Sequence, residues 1–404
     1  MRNDVAATRC YEERLDWRMK AVPPSAYGRS LGQWLQSGPR LEHLDTPVAT
    51  LQEEALEHNI TAMARWCHEA GLVHMPHGKT TMSPQLWQRQ LDAGAIGITV
   101  ANAPQLRVAR AFDIPNVLVA NELVTPSVLA WIDEWNNSGG HVTCFVDSVA
   151  GVECMARALH GTATPLDVCI ELGDYAARAG VRRREDVDHL AKIVDNTPSL
   201  RLAGVAAYEG SVAHDERPES LDRVDALLAD VVEAANRLAF DVESPMITAG
   251  GSEYFDQVAQ HLAPLVQEGA TAVMRAGSYV THDDGLYAKM TPASRDRGGP
   301  QLISALHVRG TVLSMPEPGL ALVDVGRRDV SFDAGMPVAV DLPDVNVAAL
   351  NDQHAHLRGA VENLVVGDVV RLGVSHPCTT FDKWSLIPVV DTEGFVVDAV
   401  RTYF

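Results

Sequence analysis

The pattern of hydrophobic and polar positions changes about two thirds of the way along this chain. From residue 70 to residue 280, short apolar runs typical of strands alternate with stretches whose apolar residues recur at helical spacing. The runs centre on Val73, Ile98, Leu118, Phe145, Cys169, Val205, Ile247 and Val273. Strands that alternate with helices predict parallel βαβ units, and eight such units predict a closed (β/α)8 barrel of the TIM type.

After Asp283 the runs become short and β-like, and turn-forming residues such as those at 316–319 separate them. A polar break at residues 293–300 lies between Asp283 and the first of these β-like runs. The pattern therefore predicts an α/β protein that consists of a TIM-like barrel over residues 46–285 and a C-terminal all-β domain over residues 286–404. Residues 1–45 give a mixed signal, and we expect them to form an extension that packs on the β domain.

Composition narrows the possible partners. The chain has 404 residues, of which 46% are hydrophobic and 21% charged, as in ordinary globular proteins. Its formal charge of −20 repels nucleic acid and anionic membrane surfaces. The N-terminus has no apolar core like that of a secretory signal, and no run is long enough to cross a bilayer. Six cysteines without a CxxC pair fit reduced thiols, so we expect a cytoplasmic protein.

One lysine follows the first predicted strand, between two prolines at positions 76 and 84. Lys79 is one of only five lysines among 33 basic residues, so arginine is the usual choice in this chain where charge alone is needed. A primary amine condenses with an aldehyde, whereas a guanidinium does not. Lys79 is therefore a candidate covalent anchor for a cofactor. The alternative is a solvated loop lysine with no chemical role.

Other polar groups stand where later strands end. Arg178 lies in an unusually long loop after the fifth strand, and Tyr208 ends the sixth. Residues 250–252 (Gly-Gly-Ser) and 277–278 (Gly-Ser) follow the seventh and eighth strands, where barrels bind phosphate through backbone N–H groups and helix N-termini. Either glycine motif alone is only a turn. A lysine that faces a phosphate site across a barrel mouth is the arrangement that pyridoxal 5′-phosphate requires.

Several ordered motifs carry a family resemblance, namely Thr46-Pro47, Pro76-His77-Gly78-Lys79-Thr80, Ala93-Gly94-Ala95, Arg178-Ala179-Gly180, Tyr208-Glu209-Gly210, Gly250-Gly251-Ser252, Gly277-Ser278-Tyr279 and His376-Pro377-Cys378. They resemble fold-type III pyridoxal-phosphate enzymes with an alanine-racemase-like barrel, in the group of D-serine dehydratase and D-threonine aldolase. The resemblance implies that Lys79 holds the cofactor and is catalytic, that Arg178 contacts the phenolic oxygen of the ring, and that Tyr208 lies beside it. It also implies a cofactor site formed by His77, Gly250, Gly251, Ser252, Gly277, Ser278 and Tyr279.

A candidate metal pair lies in the second domain. His376 and Cys378 are two residues apart on a predicted extended run, so both side chains would face one way and bind one divalent ion. Two protein ligands leave positions for water or substrate, as in catalytic sites. A buried cysteine beside a surface histidine is the alternative. In the dehydratases that the chain resembles, His-x-Cys binds zinc, whereas the aldolases tend to have His-x-Asp, so the thiolate favours zinc and a dehydratase.

The resemblance thus implies a metal-dependent lyase that converts a D-β-hydroxy amino acid, such as D-serine or D-threonine, to a 2-keto acid and ammonia. A homodimer is expected. An aldolase that gives glycine and an aldehyde is the first alternative. A non-catalytic protein of pyridoxal-phosphate homeostasis is the second, although such proteins resemble a lone barrel.

Overall fold

The computed structural model of the protein describes residues 5–175 and 177–404. Residues 1–4 of the predicted extension and Ala176 of the Arg178 loop lie outside the described residues. The chain begins with helices α1 (Val5–Glu12) and α2 (Leu31–Leu35) and strand β1 (Val48–Gln52). Helix α2 starts with a capping box, in which Ser30 and Gln33 each accept the other's backbone N–H.

The early segment packs against the end of the chain. The Tyr11 hydroxyl donates to Asp398 Oδ1 at 2.9 Å. The Arg401 guanidinium forms a two-pronged ion pair with Glu13, with N···O distances of 2.7 and 2.9 Å. These contacts attach the segment before β1 to the last strand of the C-terminal sheet.

Eight parallel strands form the barrel, and the fold class predicted from the sequence is confirmed. The strands are β2 (Val73–His74), β3 (Ile98–Val100), β4 (Asn116–Glu122), β5 (His141–Val146), β6 (Leu166–Leu172), β7 (Leu200–Ala207), β8 (Met246–Ala249) and β9 (Thr271–Met274). Helix α3 (Glu53–Glu69) precedes β2, and the helices between the strands are α4 (Pro84–Asp92), α5 (Ala103–Ala111), α6 (Pro126–Asn137), α7 (Val149–Ala158), α8 (Arg184–Asp195), α9 (Pro218–Arg237) and α10 (Phe255–Leu262).

The strand order is β2-β9-β8-β7-β6-β5-β4-β3, and a bridge between His77 and Thr99 joins the two ends. The Gly78 N–H donates to the Thr99 carbonyl at 2.7 Å, so the strand continues into the lysine loop. Small and apolar side chains fill the barrel interior below the mouth, among them Met75, Phe145 and Cys169. The carboxyl ends of the strands, where barrels place their chemistry, all open on one face.

The second domain is a nine-stranded sheet with two four-residue helices. Its elements are α11 (Tyr287–Met290), β10 (Leu306–Glu317), β11 (Leu320–Val323), β12 (Val338–Ala339), β13 (Val345–Leu350), β14 (Ala355–Gly359), β15 (Val369–Gly373), α12 (Cys378–Phe381), β16 (Leu386–Val390) and β17 (Val396–Arg401). The main order is β13-β14-β11-β10-β1-β16-β17, and β15 pairs with both β10 and β12.

Strand β1 corrects the boundary drawn from the sequence. It lies between β10 and β16, antiparallel to the first and parallel to the second, so the sheet crosses the boundary at residue 46. Residues 48–51 are buried, as a strand covered on both sides requires. A short apolar run cannot reveal from sequence alone which of two sheets it joins.

The segment after the barrel is hydrogen-bonded to the second domain just before the His-x-Cys motif. The Asp284 N–H donates to the Val374 carbonyl and the Leu286 N–H to the Ser375 carbonyl, both at 3.1 Å. A side chain on Gly285 would come within 2.6 Å of Ser375 Cα, so glycine permits this close approach. The pairing brings α11 beside α12 at the barrel mouth. No helix within residues 5–175 and 177–404 is long and apolar enough to span a membrane.

Candidate active site at the barrel mouth

The carboxyl ends of the barrel strands surround a cavity of about 880 Å³, including its opening to solvent. Most of the residues predicted from sequence line this one cavity: His77, Lys79, Arg178, Tyr208, Gly250, Gly251, Ser252, Gly277, Ser278 and Cys378. The cavity is also lined by Glu171, Arg275 and Tyr287, which the sequence analysis did not assign to the site. Glu171 and Arg275 lie at or just beyond strand ends, and that position is the signal that identifies them.

The loop that carries Lys79 is held rigidly from below. Trp87 Nε1 donates to the Gly78 carbonyl at 3.2 Å, and the Met82 N–H donates to the same oxygen at 2.9 Å. A Cβ on Gly78 would lie 2.7 Å from the Trp87 ring, so the turn requires glycine. Burial lowers the pKa of Lys79, and the nearby Arg178 lowers it further, although Cys378 opposes this. The amine therefore loses its proton more readily than a solvated lysine does.

Two serine hydroxyls meet beyond the ends of β8 and β9, the two strands that follow β2 in the order of the barrel sheet. Ser252 Oγ and Ser278 Oγ are 2.6 Å apart, and both residues are buried. The Gly277 backbone packs directly on the lysine loop, since a Cβ there would lie 2.2 Å from the His77 carbonyl oxygen. The N–H groups of Gly250 and Gly251 donate to the carboxylate of Glu209. Because these N–H groups are already bonded, the two serine hydroxyls are the polar groups that this part of the cavity presents to a ligand.

Cationic side chains flank the space between the lysine and the serines. The Arg178 guanidinium carbon lies 4.6 Å from the centroid of the Tyr208 ring. Arg275 is buried and donates to Thr248 Oγ1 at 2.8 Å and to the Ala207 carbonyl at 2.6 Å. The positive charge of these two arginines favours an anionic ligand in the cavity.

Tyr279 is one of the residues that the resemblance implies for the cofactor site. Its side chain points into the protein core and is not part of the cavity lining. Its hydroxyl accepts from Gln90 Nε2 at 2.9 Å, and its ring centroid lies 5.1 Å from that of His74. The chain turns into a single helical turn at residues 278–280, and this turn directs successive side chains to different sides.

The expectation of an extended run at His376 and Cys378 is also wrong. Pro377 has helical dihedral angles (φ −67°, ψ −35°), and α12 begins at Cys378. Proline suits the start of a helix because its φ is fixed near this value. The two side chains nevertheless meet. Burial lowers the pKa of His376, but hydrogen bonds with Cys378 and Asp333 outweigh it and raise the pKa to about 9.

The histidine and the cysteine are each held by a second residue. Asp333 Oδ2 lies 2.7 Å from His376 Nδ1, which leaves Nε2 as the nitrogen available to a ligand. Thr80 Oγ1 lies 3.2 Å from Cys378 Sγ. The edge of the Tyr287 ring faces His376, with centroids 6.2 Å apart. The described residues contain no cluster of three or more His, Cys, Asp or Glu side chains placed to bind a metal.

Comparison with known proteins places this geometry in a family. Residues 51–278 match the family described as alanine racemase, N-terminal domain, and residues 305–390 match the putative serine dehydratase domain. The chain belongs to the fold-type III pyridoxal-phosphate enzymes, in the D-serine dehydratase and D-threonine aldolase group. The resemblance inferred from the motifs is confirmed.

Relatives within this fold-type III group include both aldolases and a dehydratase. The chain is 28% identical over 349 residues to 3-hydroxy-D-aspartate aldolase of Paracoccus denitrificans (strain Pd 1222), which covers 84% of this chain and 88% of the relative. It is 29% identical over 380 residues to D-threo-3-hydroxyaspartate dehydratase of Delftia sp. (strain HT23). This match covers 87% of this chain and 96% of the dehydratase. The crystal structure of D-threonine aldolase from Filomicrobium marinum superposes with a TM-score of 0.80 at 25% identity and covers 91% of this chain and 97% of that one.

The residues present fit the cofactor of the fold-type III group. A buried amine with a lowered pKa and two buried hydroxyls line the same cavity. His77 Nδ1 is buried and has no hydrogen-bond partner within the described residues, so it is available to a bound group. The metal pair also fits its ion, because imidazole and thiolate are zinc ligands and a carboxylate on the far ring nitrogen is the usual support.

Proposed function

We propose that the protein is a lyase dependent on pyridoxal phosphate and a divalent metal ion. It eliminates water from D-β-hydroxy amino acids, and the resulting imine takes up water and releases ammonia to give 2-keto acids. One observation carries this proposal: the lysine loop and the cysteine of the His-x-Cys motif line one cavity. Lys79 and Cys378 both line it, and Thr80 contacts the thiol directly. The relatives named above support a lyase that uses pyridoxal phosphate.

Lys79 performs two tasks in this scheme. Its amine attaches the cofactor, whose ring withdraws electrons from the α-carbon of a bound amino acid. Once substrate has taken its place, Lys79 Nζ accepts the α-proton. The lowered pKa suits both tasks, since each requires the neutral amine.

The other residues of the site would bind the cofactor and the metal ion and orient them. Ser252 and Ser278 would hold the phosphate of the cofactor, and Arg178 would contact the phenolic oxygen of its ring. His376 and Cys378 would hold the metal ion, which supplies Lewis acidity toward an oxygen of the substrate. Asp333 fixes the orientation of the His376 ring through Nδ1.

A thiolate ligand favours zinc and dehydration over aldol cleavage. The Delftia dehydratase supports this choice, and one solved structure of that protein with a cysteine replaced by alanine is described as metal-free. Cleavage of the Cα–Cβ bond to glycine and an aldehyde is the second candidate, because two of the named relatives are aldolases. Both reactions use the same residues.

Product analysis distinguishes the two reactions. Purified protein loaded with pyridoxal phosphate and zinc would be given D-serine, D-threonine and D-3-hydroxyaspartate, with the L-enantiomers as controls. We expect ammonia and a 2-keto acid in equal amounts, from D-substrates only. Glycine and an aldehyde would establish the aldolase instead, and turnover that survives complete metal removal would refute the role of His376 and Cys378.

The proposal includes a cytoplasmic homodimer. Apolar side chains on the β domain support an assembly, since Leu313, Val365, Val366 and Val369 are each 47–63% exposed. Analytical ultracentrifugation tests this point, and a monomer at micromolar concentration would contradict it.

A further inference from the structure

A buried carboxylate lies directly behind the serine pair, and the reaction proposed above gives it no task. Glu209 is 0% exposed and follows Tyr208 at the end of β7. Its Oε2 accepts the Gly250 N–H at 3.0 Å, and its Oε1 accepts the Gly251 N–H at 2.5 Å. Each carboxylate oxygen thus has its own backbone donor, which is how an ionised carboxylate is best satisfied.

Burial of a carboxylate costs solvation free energy, which its hydrogen bonds must offset. Burial raises the pKa of Glu209, whereas the two backbone hydrogen bonds and the nearby Arg275 oppose that rise. An uncharged side chain would avoid the desolvation of a carboxylate beside a site for an anionic group. The chain nevertheless has a carboxylate at this point.

The loop that Glu209 binds cannot be held by ordinary side-chain packing. Gly250 has a φ of +120°, and a Cβ on Gly251 would lie 2.9 Å from the Tyr208 ring. Two glycines in succession give a backbone with many accessible conformations, which must be restricted from outside. The hydrogen bonds from Glu209 restrict it, and the next residue, Ser252, then meets Ser278 at 2.6 Å.

We propose that Glu209 is a positioning residue that fixes the 250–252 loop so that Ser252, together with Ser278, holds the phosphate of the cofactor. The N–H groups of Gly250 and Gly251 donate to Glu209, whereas the hydroxyls of Ser252 and Ser278 would bind the phosphate. This inference rests on the use of pyridoxal phosphate but not on which lyase reaction follows.

Substitution of Glu209 by Gln tests the inference with a side chain of equal size. Glutamine offers one carbonyl oxygen and one NH2 group, so one backbone N–H would face another donor. We expect the dissociation constant for pyridoxal phosphate, measured by absorbance titration, to rise at least about tenfold. Glu253→Gln is the matched control, because this carboxyl is close to Glu209 but makes no hydrogen bond to the loop amides of 250 and 251, and we expect its constant to stay within about threefold.

The direction in which the dissociation constant changes distinguishes the possible roles of Glu209. If the carboxylate competes with phosphate for the two amides, Glu209→Gln binds the cofactor more tightly, and the inference is overturned. An unchanged constant with a lowered unfolding temperature would show a purely structural role and would overturn it equally. If the wild-type protein binds no cofactor at all, the proposed function fails instead, so the two failures are distinguishable.

Hydrogen exchange of the wild-type protein gives a second test that needs no variant. Because the partner of the Gly250 and Gly251 amides is Glu209, we expect their exchange rates in the holoenzyme to change less than about twofold when the cofactor is removed. Exchange that becomes more than about tenfold faster on removal would show that the phosphate protects these amides, and would refute the assignment.

Discussion

Thr80 Oγ1 lies 3.2 Å from Cys378 Sγ, and this contact joins the lysine loop of the barrel to the His-x-Cys motif of the second domain. The two residues are separated by 298 positions in the sequence. The contact means that the proposed cofactor anchor and the proposed metal ligands are parts of one site, and that a change on one side affects the other.

Replacement of Thr80 by Val removes the hydroxyl and nearly preserves the shape. We expect the affinity for zinc, measured by competition with a chromophoric chelator, to fall by about tenfold, since partners of metal ligands typically contribute this much. The cofactor absorbance should be unchanged, because Lys79 keeps its own supports at Gly78. Unchanged zinc affinity would show that the contact is incidental.

Asp333→Asn tests the support of the histidine. An amide at this position no longer stabilises the ring orientation that leaves Nε2 available, so we expect zinc affinity to fall by about 10-fold to 100-fold. Asp382→Asn is the matched control, because this carboxylate directly follows α12, the short helix that begins at Cys378, and its hydrogen bond among the described residues is to Lys383 Nζ at 3.3 Å. Equal effects of the two substitutions would mean that only local charge matters.

Gly78→Ala tests the packing beneath the lysine loop. The new methyl group would lie 2.7 Å from Trp87 and 2.9 Å from Ile98, so we expect a loss of about 1–3 kcal/mol in the free energy of unfolding. Cofactor affinity should fall as well, because the loop must move. Gly151→Ala within α7 is the control, because its methyl group would lie 3.2 Å from the Ser148 hydroxyl and alanine favours a helix, so we expect a change of less than about 1 kcal/mol. Equal stability of the two variants by chemical denaturation would contradict the packing argument.

The sequence was sufficient for the barrel and for most of the site because strand ends can be located from periodicity. Lys79, Arg178, Tyr208 and the serine motifs all stand where an apolar run stops, and a parallel barrel brings such positions together. Residues that reach the site from elsewhere were not predictable in this way. Tyr287 and Asp333 depend on how the second domain folds over the mouth.

The errors have the same origin. Tyr279 belongs to a site motif, but the direction of its side chain depends on a single helical turn that no hydrophobic pattern reveals. The placement of β1 depends on pairings with segments that are distant in the chain. Short strands carry too little pattern to specify their partners.

Glu171→Gln tests the electrostatics at the bottom of the cavity. Burial, and then the nearby Glu122, raise the pKa of Glu171 to about 8 from its ordinary 4.5. The folded state therefore holds a proton that the unfolded state releases between these values, so stability from this group is complete below pH 4.5 and is lost as pH rises through 8.

Glutamine cannot ionise, so the variant should lose less stability than the wild type between about pH 5 and pH 8. Unfolding temperatures across this range measure the difference, with the exposed Glu153→Gln as control. Parallel curves for wild type and Glu171→Gln would contradict the raised pKa.

The attachment of the cofactor to Lys79 is the central claim, and reductive trapping tests it most directly. Protein incubated with pyridoxal phosphate would be reduced with borohydride, digested and mapped by mass spectrometry, with Lys79→Ala as the comparison. We predict that the reduced cofactor is found on Lys79 alone among the five lysines, and that the variant has neither the label nor the absorbance band. Label on another lysine, or a wild-type protein that takes up none, would contradict the account.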